Sequence, residues 1–150
     1  MAVNKATELK LHPEEFELEC TTVWAFPRRG NWATHTSDWR GNWSPEVSRN
    51  LILRYSNEGD VLLDSMIGGG TTAIEAKILN RNIIYSDINK VAIDRTKKAL
   101  NFKVDNKAWQ RGFKWDSRNL SKIKDETIDL VLTHPPYVDI IKYSEGKLVD

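Results

Sequence analysis

The sequence predicts an α/β domain in which a parallel sheet of about four strands is wrapped by helices. Three observations carry that expectation. Short apolar runs alternate with longer stretches of helical periodicity, the runs close on polar residues that include Asp64, Asp87 and Asp116, and a glycine cluster, Gly68-Gly69-Gly70, joins the first run to the helix after it. Parallel sheets built this way take ligands at the carboxyl ends of their strands, where all of these polar ends fall.

Taken in order, the first twenty residues carry Glu8, Glu14, Glu15, Glu17 and Glu19 with little periodicity and read as a peripheral arm or short helix, so that residues 1–23 form an arm and 24–150 the functional part. Between Trp24 and Trp43, four tryptophans (Trp24, Trp32, Trp39, Trp43) fall among Arg28, Arg29, Gly30, Arg40 and Gly41, which is loop composition with large planar surfaces. Ser44-Pro45-Glu46 supplies an N-cap, a proline suited to the first helical position and a first-turn acid. Val47, Leu51, Ile52 and Tyr55 follow at helical spacing, which predicts a helix to near Ser56. After the Asn57–Asp60 turn, Val61-Leu62-Leu63 is an apolar run typical of a buried parallel strand, ending at Asp64. The glycine loop feeds a helix from about Thr71, with Ala73, Ile74, Ala76, Ile78 and Leu79 on its apolar side. Ile83-Ile84-Tyr85 is the second strand, closed by Ser86-Asp87; a helix from about Asn89 to Phe102 turns Val91, Ile93 and Leu100 inward. Phe113-Lys114-Trp115 reads as a third strand ending at Asp116, and Thr127–Leu132 as a fourth that delivers Thr133-His134-Pro135-Pro136-Tyr137.

Composition sets the bounds. With 150 residues, 40% apolar and 29% charged content and a formal net charge of +1, the chain suits one soluble domain and shows no global footprint for a polyanion. Arg28, Arg29 and Arg40 are the local candidates for phosphate contact, with a solvated loop as the alternative. One cysteine, Cys20, excludes an internal disulfide framework, and the three histidines are too scattered to form a metal set. No apolar run approaches the roughly 18 residues of a membrane span and the first residues alternate charged with apolar types, unlike a secretory signal, so the cytoplasm is the default expectation.

The glycine loop fits a nucleoside cofactor. Gly68 and Gly70 allow close backbone approach, the helix from Thr71 and Thr72 presents its N-terminal dipole end, and Asp87 stands where an acid can accept from both ribose hydroxyls. Gly68 to Ala73 also satisfies the dinucleotide pattern G-x-G-x-x-A. Asp64, placed before the loop, would repel a pyrophosphate but can pair with the ammonium group of a methionine moiety, which favours S-adenosylmethionine over a nicotinamide cofactor. Asp116 is placed either to accept from an adenine amine or to cap the residues after it.

The Thr133–Tyr137 turn fits the acceptor. An exocyclic amine on a nucleobase is a poor nucleophile because its lone pair is delocalised, so a catalyst must accept its N–H hydrogens while the nitrogen becomes pyramidal. Pro135-Pro136 forms a stiff turn whose carbonyl can face such an amine, His134 offers a neutral imidazole nitrogen, and Tyr137 a flat surface for an extruded base.

Gly30 to His35, Arg40 to Pro45, Asp64 to Thr72, Ser86 to Asn89 and Thr133 to Tyr137 resemble, in order, the motifs of the amino-DNA methyltransferases specific for cytosine N4 or adenine N6. The resemblance implies a Rossmann-like S-adenosylmethionine methyltransferase fold acting on DNA, with Trp32, Thr34 and His35 at the methionine end of the cofactor. Ser65 replaces the family's usual proline, and Gly69 stands where serine is frequent. His134 stands where cytosine-N4 enzymes carry serine and adenine-N6 enzymes aspartate or asparagine, whereas the residues leading into the turn look most like the cytosine branch. The family's sheet is larger and carries a target-recognition region. The expectation is therefore of a partial domain completed by a second polypeptide, by a homo-oligomer through strand exchange, or left as a truncated product. Methylation of adenine N6 in DNA or of RNA, a non-catalytic subunit that binds cofactor or partner, and a nicotinamide oxidoreductase are the alternatives.

Overall fold

A computed structural model describes residues 9–137. It contains helices α1 (Pro45–Tyr55), α2 (Thr71–Ile78) and α3 (Lys90–Ala99) and strands β1 (Val61–Asp64), β2 (Asn82–Asp87), β3 (Gln110–Lys114) and β4 (Leu130–Val131). All four strands are parallel and lie in the order β3-β2-β1-β4. The chain thus steps outward from β1 to β2 to β3 and then returns to the other side of β1. That reversal opens a crevice between the carboxyl ends of β1 and β4, the place where sheets of this kind bind ligands.

The register aligns Leu62 with Ile83 and Asp64 with Tyr85, and Leu62 with Leu130. Leu62, Ile83 and Tyr85 form one side of a core whose other side is Ile52 from α1, Ala73, Ile74, Ala76 and Ile78 from α2, and Ile93 from α3. Close packing fixes the glycine at 112: Tyr85 lies so near that an added Cβ would stand 2.3 Å from its ring. The apolar side expected of α2 is buried as read from its sequence, and α1 starts at Pro45 after Ser44. The Ser44 hydroxyl turns to Glu46 and makes no capping bond to the helix.

Four expectations need correction. α3 is shorter than its periodicity suggested, and Val91 is 64% exposed; the inward positions are Ala92, Ile93, Thr96 and Leu100. Asn89 caps α3 by accepting from the Val91 amide, which fixes Val91 in the first turn on the outer side. β3 begins earlier, at Gln110, because it pairs along β2 from Ile83 to Asp87. Regular β4 pairing covers two residues, although Asp129 and Leu132 also donate backbone bonds to Val61 and Leu63, at 2.9 Å each. The described part of the N-terminal arm contains no helix and lies along α1, with the Glu19 amide on Asn50 Oδ1 at 2.8 Å and Phe16 under the Arg49 guanidinium. Among the described residues no helix is long and apolar enough to cross a membrane.

Candidate functional site

The site is built from strand ends. Asp64 closes β1 and is 2% exposed; its Oδ1 accepts the Met66 amide at 3.1 Å and the Thr133 hydroxyl at 3.0 Å. Burial raises this carboxyl to about 6, against the opposing pull of the Thr72 hydroxyl and of those two hydrogen bonds, and the negative charge of Asp87 adds to the rise. Thr133 follows directly on β4, so one side-chain hydrogen bond joins the two strands that flank the crevice.

Asp87 closes β2. Its Oδ2 accepts the Gly68 amide at 3.0 Å and its Oδ1 the Asn89 amide at 2.8 Å, while burial raises its pKa above the ordinary value. The same loop is tied to β2 a second time by the Ile67 amide on the Ser86 carbonyl at 3.0 Å. Gly68 sits at φ 50°, where an L side chain is strained, and a Cβ there would stand 3.1 Å from Trp39 Nε1. Asp116, beyond β3, is held by Arg118: the Arg118 amide and Nε donate to its Oδ1 at 3.0 Å and Nη2 to Oδ2 at 2.5 Å. These bonds hold the carboxyl down at about 2. No helix follows Asp116, so it caps none; its Oδ1 accepts the Arg118 amide within a turn, and the residue lines the cavity described below.

The opposite wall is the segment from Trp39 to Trp43. Arg29 fastens it by donating to the carbonyls of Thr36, Asn42 and Trp43 at 3.1, 3.2 and 2.5 Å, so this arginine is a clamp within the loop. Thr71 Oγ1 donates to Asn42 Oδ1 at 2.6 Å, which ties the same wall to the start of α2. His134 stacks on Trp43 with centroids 5.0 Å apart and planes 3° from parallel, and its Nε2 lies 2.7 Å from the Tyr137 hydroxyl. Burial lowers the His134 pKa, with the Gly41 backbone pulling the other way, so the ring is neutral at neutral pH.

These walls enclose a cavity of about 440 Å³, lined by Trp39 to Trp43, Asp64 to Gly69, Asp87 to Asn89, Asp116 to Arg118 and His134 to Pro136. Of the residues singled out in the sequence, Asp64, Gly68, Asp87, Asp116, His134, Pro135 and Pro136 are on this wall. Tyr137 is 46% exposed beside it, touching His134. Gly70, Thr71 and Thr72 are buried behind the loop: Gly70, at φ 90°, packs against Thr96, and the two threonines are 1% exposed.

Trp32, Thr34 and His35 do not line this cavity. Trp32 Nε1 and His35 Nε2 both donate to Glu75 Oε1, at 2.6 and 2.7 Å, Arg49 Nη1 donates to Oε2 at 2.9 Å, and the Thr34 hydroxyl meets the Ala99 carbonyl at 2.7 Å. Glu75 is fully buried, and a carboxylate in such a place needs this full set of donors. Sequence reasoning passed over it; the available signal was a lone acid between Ile74 and Ala76 on the apolar side of α2. It also passed over Trp39, Asn42 and Trp43 as cavity wall, since nothing in a loop sequence fixes which of its side chains turn inward. Among the described residues no group of histidine, cysteine and acidic side chains is arranged to hold a metal.

Comparison with known proteins fits this architecture. A type II methyltransferase of Haemophilus parainfluenzae, M.HpaI, is 48% identical over 50 residues, which cover 33% of this chain and 16% of that protein. The type II methyltransferase M1.MboII of Moraxella bovis is 39% identical over 56 residues, covering 37% and 22% of the two chains. The orphan methyltransferase M.BamHII of Bacillus amyloliquefaciens is 38% identical over 55 residues, covering 37% and 21%. Each similarity spans well under two thirds of the relative's length. A family model described as DNA methylase matches residues 2–98, from the N-terminal arm through β1, the glycine loop, β2 and nearly all of α3, and stops before the Thr133–Tyr137 turn. With about two thirds of its length in that match, the chain belongs to the DNA methylase family of N6 and N4 methyltransferases.

Proposed function

We propose that the chain is the cofactor-binding and catalytic-motif part of an S-adenosylmethionine-dependent DNA methyltransferase that modifies an exocyclic base amine, with cytosine N4 as the acceptor. One observation supports this above the others: the glycine loop and the Pro-Pro-Tyr turn open onto one cavity, and a direct hydrogen bond from Thr133 to Asp64 joins them at its edge.

The residues present fit S-adenosylmethionine. Gly68 and Gly69 form a cradle that side chains would fill, since a Cβ at Gly69 would stand 2.8 Å from Asn42 Nδ2. Asp64 offers a buried carboxylate for the ammonium group. Asp87 takes the backbone amides of Gly68, Asn89 and Ile88, and a carboxylate has about four acceptor sites, so acceptor capacity remains for a ribose hydroxyl. Asp116 faces the position of an adenine amine, and Trp39, Trp43 and Ile88 supply apolar wall. When bound, the cofactor supplies a methyl group made electrophilic by its sulfonium.

The turn does the remaining work. Pro135 and Pro136 hold their carbonyls in a fixed direction without competing N–H donors. Neutral His134 would accept a hydrogen bond from the amine and draw its lone pair out of the ring system. As that lone pair forms the N–C bond the methyl–sulfur bond would break, releasing S-adenosylhomocysteine, and the surplus amine proton would pass to His134. His134 Nε2 already meets the Tyr137 hydroxyl, so an incoming amine that uses this nitrogen takes the place of that hydroxyl and frees the tyrosine ring to stack on the base. Cytosine N4 follows from the resemblance of the residues leading into the turn. Adenine N6 is the alternative within the same chemistry.

Calorimetric titration with S-adenosylhomocysteine tests the cofactor. Absence of binding, by the chain alone and in the presence of a completing partner, sinks the reading. Nucleoside mass spectrometry of DNA from cells with and without the gene tests the acceptor: loss of N4-methylcytosine supports it, loss of N6-methyladenine moves the acceptor to adenine, and no change removes DNA methylation. A second reading, a cofactor-binding subunit completed by another chain or by a second copy, is favoured by β4. Val131 on that strand is 59% exposed, and the described pairings of β4 all run to β1. DNA methylation by this chain as a monomer would exclude that reading.

A further inference from the structure

We propose that Thr133 is a positioning residue of the cofactor site: its hydroxyl orients the Asp64 carboxylate and couples that carboxylate to the Pro-Pro-Tyr turn. This rests on the cofactor reading given above and extends it to a residue that lies outside the family match.

The argument begins with what β4 lacks. Its regular pairing to β1 is two residues long, so the strand alone gives the turn little hold on the sheet. The last backbone bond of that ladder is the Leu132 amide on the Leu63 carbonyl at 2.9 Å. One residue further on in each strand, the connection passes to side chains, with Thr133 Oγ1 donating to Asp64 Oδ1 at 3.0 Å. The Met66 amide converges on the same oxygen at 3.1 Å. One of these donors comes from the glycine loop and the other from the acceptor turn, and the Thr72 hydroxyl of α2 also stabilises the carboxylate, so together they set the state of a group that is itself on the cavity wall, with Thr133 its link to the turn. Any movement of the turn that withdraws Thr133 changes the group facing the cofactor's ammonium. By the reciprocity of linked equilibria, occupation of the cofactor site then holds the turn in place. His134, immediately after Thr133, would thereby be held in place more firmly over a filled cofactor site.

The charged and titratable groups around Asp64 are few. Asp87 lies across the glycine loop and His134 on the turn, with Asp116 on the far wall already engaged by Arg118. None of them replaces a donor lost at Thr133, and the Thr72 hydroxyl, which also favours the Asp64 carboxylate, belongs to α2 and leaves the turn untied. The Thr133 hydroxyl therefore has a specific electrostatic task, which its shape alone cannot perform.

The test uses the full chain with Thr133→Val, which keeps the shape and removes the donor, and Thr133→Ser, which keeps the donor. Two measurements are made on each: the ¹³C titration of the Asp64 carboxyl without ligand, and the affinity for S-adenosylhomocysteine at pH 7.5. Loss of one hydrogen bond to a carboxylate is expected to weaken binding about tenfold in T133V, with T133S within about twofold of wild type. The Asp64 midpoint is expected to move upward in T133V and to stay in place in T133S. Amide exchange at His134 should slow on ligand binding in wild type and T133S but not in T133V. An unmoved Asp64 midpoint in T133V overturns the proposal, as does a shifted midpoint with unchanged affinity, since the hydrogen bond would then have no part in binding. If wild type binds no S-adenosylhomocysteine, the cofactor reading fails by itself, and the ligand-free titration decides whether Thr133 controls Asp64.

Discussion

The two halves of the cavity are held in different ways. The glycine-loop half lies between β1, β2 and α2, where Asp64, Thr71, Thr72 and Glu75 are nearly inaccessible and almost every turn is fixed by more than one bond. The acceptor half, from Thr133 to Tyr137, hangs from a two-residue strand, and its described ties include a side-chain hydrogen bond to Asp64, a ring stack on Trp43 and the Gly41 backbone at His134. The difference is one of redundancy. A cofactor cradle must keep its shape through every turnover, whereas the group that meets an extruded base must admit and release it, and segments that move belong to the weakly held end of a structure.

The comparison breaks most visibly at Glu75. Replacing it by glutamine leaves Arg49 without its buried counter-charge and disturbs Trp32 and His35, so Glu75→Gln should destabilise the chain by about 3–5 kcal/mol in chemical denaturation. A loss below about 1 kcal/mol would show that the cofactor half is not anchored there.

Asp64 is next. Its carboxyl is raised from 3.8 to about 6 by burial, so this group favours the fold fully below its unfolded value, and the contribution is lost as pH rises through 6. The stability difference between Asp64→Asn and wild type should therefore shift in favour of the variant by about 2 kcal/mol between pH 4 and pH 8. Binding runs the opposite way. Wild-type affinity for S-adenosylhomocysteine should decline as pH falls below 6, where the carboxylate needed for the ammonium is protonated. Asp64→Asn should bind at least about tenfold more weakly at pH 7.5 and show no such decline. A wild-type affinity that is flat from pH 5 to 8 would remove Asp64 from the ammonium site.

Gly70 tests the rigidity of the loop from behind. At φ 90°, with a Cβ placed 2.9 Å from Thr96 Oγ1, Gly70→Ala should cost about 1–3 kcal/mol of stability, read from thermal unfolding. The smallest effect is expected in the acceptor half. Trp43→Leu uncovers His134 and should move its NMR titration midpoint upward toward the ordinary histidine value, with S-adenosylhomocysteine affinity nearly unchanged. A large loss of affinity would show that the two halves are less separate than their construction suggests.

Much of this was legible in the chain itself. The period of Leu62, Ile83 and Ile74, the helix start at Ser44-Pro45 and the glycines before Thr71 report local backbone preference and burial, and both are written in neighbouring residues. The acids at the strand ends were legible for the same reason, because a polar residue that ends an apolar run marks the end of a buried strand. Val91 was misplaced because its apolar character suggested burial, whereas the Asn89 cap set the helix phase and turned it to solvent.

By itself, then, the sequence determined the element types, the parallel order of strand and helix, and the identity of the residues at the strand ends. The tertiary structure decided which of those ends meet. Only the return of β4 to the far side of β1 brings Thr133 to Asp64 across 69 residues of chain. Only packing sends Trp32 and His35 to a buried Glu75 while Trp39 and Trp43, from the same tryptophan-rich loop, face the cavity. Periodicity and propensity act over a few residues, but the direction of a loop side chain is set by whichever distant donor, acceptor or ring it meets, and that is known only when the chain has closed on itself.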